Sequence, residues 1–165
     1  MYECNVVESD RKFRFRACAI IIENNHILFA KNEIDDYYYS VGGGVEIFET
    51  SEEAVIREVH EETGVYYEID KLAIIHENFF YGKGGTVSKD TKCHELALYY
   101  LMKPRETMKL NPDNESISHG VKEEMVWLPI NELKKHNIYP RFLRNIDLEV
   151  LKNCLTHVVT DERCK

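Results

Sequence analysis

Gly42-Gly43-Gly44, then Glu49-Thr50, then Arg57-Glu58-Val59-His60-Glu61-Glu62-Thr63-Gly64-Val65 is the stretch on which the reading of this chain turns. Thr50 is a good helix N-cap, and Glu53 three residues later completes a capping box. Gly64 is a natural C-terminal stop. The pattern predicts a helix over residues 51–63, entered from a glycine-rich turn. Glycines at 42–44 allow a backbone to approach an ion or a phosphate with no Cβ in the way.

At about 100° per residue, Ala54, Val55, Val59 and Ile56 mark the expected packed face of this helix. Arg57, Glu53 and His60 fall on the solvent side. Glu58 and Glu62 project at about 40° and 80° when Ala54 is set at zero, between Ala54 and Val55, with Glu61 at the margin. An unpaired buried carboxylate costs several kcal/mol or takes up a proton. Acids in a last helical turn also oppose the macrodipole, and Glu61 and Glu62 stand just before Gly64. Acid-rich helices are usually plain solvated faces, but these acids point inward beside a glycine loop. Several local rules broken together mark a functional site, and a divalent cation would relieve all of them. Arg57 has two readings: the centre of a Glu53-Arg57-Glu61 ladder at i, i+4 spacing, or the group that orients a carboxylate beside a metal.

Working outward, Phe13-Arg14-Phe15-Arg16 alternates and Ala17–Ile22 runs apolar, the pattern of a strand that becomes buried on both faces. Residues 23–26 read as a turn, 27–30 as a second strand and 37–41 as a third. Strand material recurs in 65–81, 95–101 and 125–128, with polar loops around Gly82–Gly85 and over 103–120. Pro129 closes the last of these strands, Asn131 is a candidate cap for a short helix through Lys135, and 140–154 reads as a terminal helix. Strands interleaved with helices predict a mixed α and β domain, and no linker divides residues 1–165.

Composition narrows the function. The chain has 165 residues, 44% hydrophobic, with a net charge of −8. That charge argues against a general nucleic-acid or membrane binder, while a small phosphorylated substrate stays compatible through a metal. Cys4, Cys18, Cys93, Cys154 and Cys164 are scattered and form no CxxC pair, so neither a disulfide framework nor a zinc knot is expected. The first residues show no basic stretch or long apolar run, and the expected location is the cytoplasm.

The segment Gly43-x5-Glu49-x7-Arg57-Glu58-Val59-x-Glu61-Glu62-x-Gly64-Val65 resembles the Nudix box, with every fixed position present. The resemblance implies an α/β fold, a Nudix-type α/β/α sandwich with a mixed β-sheet. It implies hydrolysis of the pyrophosphate bond in a nucleoside diphosphate linked to another moiety, with Mg²⁺ or Mn²⁺, in an enzyme that is often a homodimer. By position, Glu58, Glu61, Glu62 and the carbonyl of Gly42 resemble metal ligands. Glu58 also resembles the base, with Arg57 orienting it, and Gly43 and Glu49 resemble the loop glycine and the acid that steadies it. Val41 stands where a proline is common, and Ile47-Phe48 where a small or turn-forming residue is.

Relatives often recruit a further acid, for which Glu95, Glu123 and Glu124 are candidates. Tyr37, Tyr38, Tyr39, Phe79, Phe80 and Tyr81 are candidates for stacking on a base, and equally for core packing. His76 and His94 read as structural, and Lys83, Lys89 and Lys92 as a solvated loop. Two rival readings are a sensor module that binds a nucleotide or nucleotide-sugar without cleaving it, and a prenyl-diphosphate isomerase. The intact acids speak against the first, and the lack of a matching cysteine–glutamate pair against the second.

Overall fold

A computed structural model describes residues 2–84, 87–111, 117–118 and 121–163. Gly85 of the first polar loop, residues 112–116 and 119–120 of the second, and Cys164 lie outside the described residues. The elements in chain order are β1 (Asn5–Glu8), β2 (Arg11–Ile20), β3 (Ile22–Glu23), β4 (His26–Asn32), β5 (Tyr38–Ser40), β6 (Gly42–Gly44) and α1 (Ser51–Thr63). After these come β7 (Ile69–Tyr81), β8 (Lys92–Met102), β9 (Ile117–Ser118), β10 (Val121–Pro129) and a 3-10 helix (Ile130–Lys135). The chain continues through β11 (Ile138–Tyr139), a second 3-10 helix (Arg141–Asn145), α2 (Leu148–Asn153) and β12 (Thr156–Asp161).

The architecture is α/β with mixed sheets, but there are two sheets where a single one was expected. One follows the order β1-β2-β8-β7-β12, with β6 paired to β2; the other follows β11-β5-β4-β10-β9, with β3 paired to β4. Both mix directions, because β2 runs parallel to β8, β12 parallel to β7, and β11 parallel to β5. The chain changes sheets just after β2, where the Ile21 carbonyl accepts from the Leu28 N–H at 3.1 Å.

Strand alternation divides the core into two apolar layers. Ala17 and Ala19 from the first sheet, Ile21 at the crossing and Leu28 from the second sheet pack with Ala54, Val55 and Val59 of α1. Cys18, Ile20, Ile27 and Phe29 point the opposite way, and pack with Leu133, Leu143 and Leu151 from the 3-10 helices and α2. Helices therefore cover both faces, giving the expected α/β/α layering.

Several local readings change. Ile56 is exposed, because the packed stripe of α1 is narrower than the wheel suggests. The 130–135 helix starts from Pro129, and no side chain caps it. Residues 140–154 are not one helix. Asp147 takes an extended conformation and accepts from the N–H groups of Glu149 and Val150, which restarts the chain as α2. Residues 125–128 are also not the last strand. Thr156–Asp161, rich in β-branched residues, lies parallel on β7 with alternating exposure.

β12 also seals His76. The ring is fully buried, 2.9 Å from Thr160 Oγ1 through Nε2, and makes an edge contact with Phe142. Burial pushes its pKa down to about 4. The unfolded chain therefore binds a proton between pH 6.5 and 4 that the folded protein refuses. The contribution of His76 to stability is complete above pH 6.5 and falls by roughly 3 kcal/mol as pH drops to 4. Urea titrations across this range should show that the stability difference between the wild-type protein and His76→Gln shrinks along this slope as pH falls, the raised carboxylates Glu62 and Glu58 being common to both.

Candidate active site

Residues around α1 are held by its caps before any chemistry is considered. The Thr50 hydroxyl accepts from the Glu53 N–H, and Glu53 accepts from the Thr50 N–H, so the capping box is complete. Gly64 takes the left-handed conformation (φ +69°), and its N–H returns to the His60 carbonyl. With Ala54, Val55 and Val59 buried beneath, the helix is a rigid carrier for the acids on its other stripes.

Arg57 ties the loop to the helix. Its Nε and Nη2 donate to the two oxygens of Glu49 at 2.8 and 3.0 Å. Nη2 also donates to the Gly44 carbonyl at 3.1 Å, while Nη1 donates to Glu58 at 2.7 Å and Glu61 at 3.3 Å. Glu49 accepts the Glu46 N–H as well, which closes the turn. The i, i+4 ladder is thus half present: Glu61 reaches Arg57, and Glu53 serves the cap instead. Phe48, at the turn, stands wholly in water with φ +75°, a conformation disfavoured for a bulky side chain.

Glu62 is the buried acid, 8% exposed. Its two oxygens accept the Gly42 N–H at 3.3 and 3.2 Å. Burial raises its pKa well above the usual range, the charges of Glu123 and Glu58 add to this, and the Gly42 N–H and Arg16 oppose it. Burial also raises Glu58, against the pull of Arg57. Glu61 stands mostly in water, its side chain 57% exposed. Two of the three acids therefore face inward, and the third stands at the rim.

The glycine strand fits tightly against these acids. A Cβ on Gly43 would lie under 3.0 Å from the Glu58 carboxylate, and one on Gly42 (φ +126°) would overlap the Ala17 carbonyl. The Gly42 carbonyl already accepts from Arg16 Nη2 at 2.7 Å. A cation on that oxygen would share it with a guanidinium.

The three outside acids occupy different places. Glu123 of β10 is buried, acts electrostatically on Glu62, and accepts from the Tyr39 hydroxyl at 2.6 Å. Its neighbour Glu124 points outward and is exposed. Glu95 of β8 is near Arg16, 3.9 Å away. Among the described residues, no group of three or more His, Cys, Asp or Glu side chains meets the geometry of a metal cage. The donors are nevertheless all oxygens, and among the described residues Glu62 accepts its hydrogen bonds from a neutral backbone N–H, with Arg16 acting on it through its charge. Such an all-oxygen set fits Mg²⁺, a hard cation that keeps several of its waters.

Two features were not visible in the sequence reading. Arg16, in an apolar-flanked strand, proves to lie between Gly42, Glu62 and Glu95; the alternation of Phe13-Arg14-Phe15-Arg16 was its only signal. Tyr39, a candidate for base stacking, instead donates to Glu123. Its own ionisation is pushed up by burial and by that carboxylate. Of the other aromatic candidates, Phe79 stacks on His94 with centroids 4.3 Å apart, and Tyr37 makes edge contacts with Tyr39 and Tyr139. Lys92 pairs with Asp10, Lys83 stands over the Tyr139 ring, and Lys89 is exposed.

The NUDIX domain model matches residues 12–146. Solved structures share the fold at low identity. A MutT protein from Bacillus halodurans matches with a TM-score of 0.60 at 16% identity, over 90% of this chain and 92% of that one. A MutT protein from Methanosarcina mazei Go1 matches with a TM-score of 0.59 at 19% identity, over 81% and 88%. A NUDIX-family hydrolase from Clostridium perfringens matches with a TM-score of 0.57 at 21% identity, over 84% and 95%. No curated protein sequence matches the chain.

Gly43→Ala tests the tightness of this arrangement. Its Cβ must displace the Glu58 carboxylate, which is the far end of a flexible side chain, so the fold should survive with a melting temperature within a few degrees of wild type. Titration calorimetry with Mn²⁺ should show affinity reduced at least tenfold. Unchanged affinity would mean that Glu58 does not bind the ion from this position.

Proposed function

We propose, from the premise that this chain belongs to the NUDIX domain family, that it hydrolyses the pyrophosphate bond of a nucleoside diphosphate linked to another group. The observation that carries this reading is the pair of inward acids, Glu62 and Glu58, set against a strand of three glycines with Glu123 closing the far side. A purely structural helix gains nothing from burying two carboxylates that repel each other.

In this reading Glu58, Glu61 and Glu62 hold Mg²⁺ or Mn²⁺, with the Gly42 carbonyl as a further ligand. The ion supplies charge neutralisation on the phosphate oxygens and a more acidic bound water. The protein's own groups do the rest. Arg57 holds one oxygen of Glu58 at 2.7 Å, and the other accepts no hydrogen bond among the described residues. Burial raises the proton affinity of Glu58, which suits a base that takes a proton from the attacking water. Glu49 grips two arms of Arg57 and so fixes the angle from which Glu58 acts. Gly43, without a side chain, leaves room for that carboxylate to lie against the loop. Glu123 is the outside acid best placed to complete the set.

No helix among the described residues is long and apolar enough to cross a membrane. Cys4, Cys18, Cys93 and Cys154 are free thiols, in keeping with a reducing cytoplasm.

The test is turnover of a panel of nucleoside diphosphate derivatives with Mg²⁺, products resolved by mass. Glu62→Gln should lower kcat at least a hundredfold while circular dichroism stays that of the wild type, and Glu61→Gln should remove most turnover. Wild-type rates in both variants would remove the acids from the reaction, and binding without any product would favour the sensor reading.

A further inference from the structure

Six large apolar side chains among the described residues are at least 60% exposed, and five of them lie together: Tyr2, Val6, Val7, Ile47 and Phe48. They follow one edge of the first sheet, where the Ile47 N–H donates to the Tyr2 carbonyl at 2.9 Å and the Cys4 N–H to the Val45 carbonyl at 2.6 Å. β1 forms that edge, and all four of its residues are exposed. A strand sends adjacent side chains to opposite faces, so Val6 and Val7 put apolar surface in water on both faces of one strand. β12, at the other end of the same sheet, alternates in exposure and has one face packed. A solvated edge is normally blunted by Lys, Pro or a bulge. Asn5-Val6-Val7-Glu8 has none of these, and its register with β2 is unbroken. Single exposed apolar residues need no explanation, but a contiguous patch marks an interaction surface.

The backbone of the edge says what fits it. The Cys4 carbonyl accepts from the Phe15 N–H at 3.1 Å, and the two-residue turn at Ser9-Asp10 makes Glu8 and Arg11 a bonded pair. Even-numbered residues therefore bond inward to β2. Alternation turns the N–H and carbonyl of Val7 outward, with the carbonyl of Asn5. The Asn5 N–H is already taken by the Glu3 carbonyl. A donor at Val7 and an acceptor at Asn5 suit an antiparallel copy of the same strand. With Val6 on a two-fold axis, each Val7 N–H meets the Asn5 carbonyl of the other copy, and the two Val6 side chains touch. The same register sets Tyr2 and Glu3 against the Ser9-Asp10 turn of the second copy. Glu3 and Glu46 face each other in a β-bridge, a like-charge pair that favours a cation nearby. Arg14 offsets Glu3 at 3.5 Å, which leaves Glu46 without a cation among the described residues. The turn brought up to it carries Arg11, whose side chain is 77% exposed and no nearer than 3.9 Å to Asp10.

We propose that β1 is the contact strand of a symmetric dimer, in which two copies of this chain pair β1 with β1 antiparallel and join their first sheets into one. Tyr2, Ile47 and Phe48 of each copy then cover the β1–β2 turn of the other. Aromatic side chains bury roughly 150–250 Å² each. Tyr2 and Phe48, with Ile47, Val6 and Val7, thus offer most of the roughly 800 Å² per partner that a standard interface buries. The contact also gives a purpose to Phe48, a bulky side chain held wholly in water beside the Glu49–Arg57 pair. The pairing is independent of what the chain hydrolyses.

Sedimentation equilibrium of the full-length protein, from micromolar to submillimolar concentration, tests this contact. Val6→Lys places two like charges on the axis, and Val7→Pro removes the N–H that bonds across it. Proline is tolerated in an edge strand where the N–H faces outward, so β1 should stay paired to β2 and circular dichroism should match the wild type. The wild-type protein should dimerise, and each variant should raise the dissociation constant at least tenfold. Should Val7→Pro disturb the fold, Val6→Lys, a change at an exposed side chain, decides alone. Hydrogen exchange locates the contact: the Val7 amide should exchange at least tenfold more slowly in the wild-type dimer than in monomeric Val6→Lys, while the amides of β12 exchange alike in both. A wild-type protein that stays monomeric throughout overturns the dimer, and so does a monomer that instead takes up lipid vesicles on this edge. A dimer that survives both folded variants, or one that leaves the Val7 amide unprotected, overturns it as well.

Discussion

The site is organised around a carboxylate kept out of water. Glu62 is buried at the end of α1, where the helix dipole opposes it, and among the described residues its hydrogen-bond donor is the N–H of Gly42. That contact dictates much of what surrounds it. Gly42 must present its N–H to the helix and its carbonyl to Arg16 from a strand position with φ +126°. In that conformation any Cβ would overlap β2. Glycine here is a requirement of close approach, not of loop flexibility. The second sheet contributes Glu123 on the other side, with its own carboxylate fixed by Tyr39. Two sheets and one helix therefore meet at a single unfavourable charge, and each helps define its surroundings.

Arg57 makes this arrangement durable. It joins Glu49 in the loop, the Gly44 carbonyl in β6, and Glu58 and Glu61 in the helix. A bidentate guanidinium–carboxylate pair is geometrically restrictive in a way a lysine pair would not be. This explains how a turn with Phe48 in a left-handed conformation is tolerated. The strain, of order 1–3 kcal/mol, is opposed by the paired Glu49–Arg57 bonds and the Glu46 contacts on either side of it.

The fold was legible where a pattern is local. Thr50, Glu53 and Gly64 mark the ends of α1 to the residue, because caps are side-chain-to-backbone bonds within a few positions of one another. It was illegible where partners are distant. β12 has no turn signal of its own; it exists because the β-branched run Thr156–Thr160 finds the free edge of β7. The supposed helix 140–154 failed for a local reason that was present but outweighed. Asp147 is a cap, and a cap in the middle of a helical pattern divides it. The division into two sheets depends on where β2 hands over to β4, which no single segment encodes.

The same distinction explains the site. The acids of α1 could be placed by helical periodicity alone, since Glu58 and Glu62 are one turn apart on the stripe beside Ala54 and Val55. Choosing among the outside acids required registry between strands. Glu123 and Glu124 are indistinguishable in composition, yet a strand sends adjacent side chains to opposite faces. Glu123 lies on the face of β10 that Met125 and Trp127 share with α1, and that parity brings it to Glu62 while leaving Glu124 in water. Glu95 obeys the same rule with another result. It shares a face of β8 with Ala97 and Tyr99, and there it meets Arg16. One period-two rule, applied in two sheets, thus assigns one glutamate to the buried acid of α1 and another to the arginine that braces Gly42 from behind.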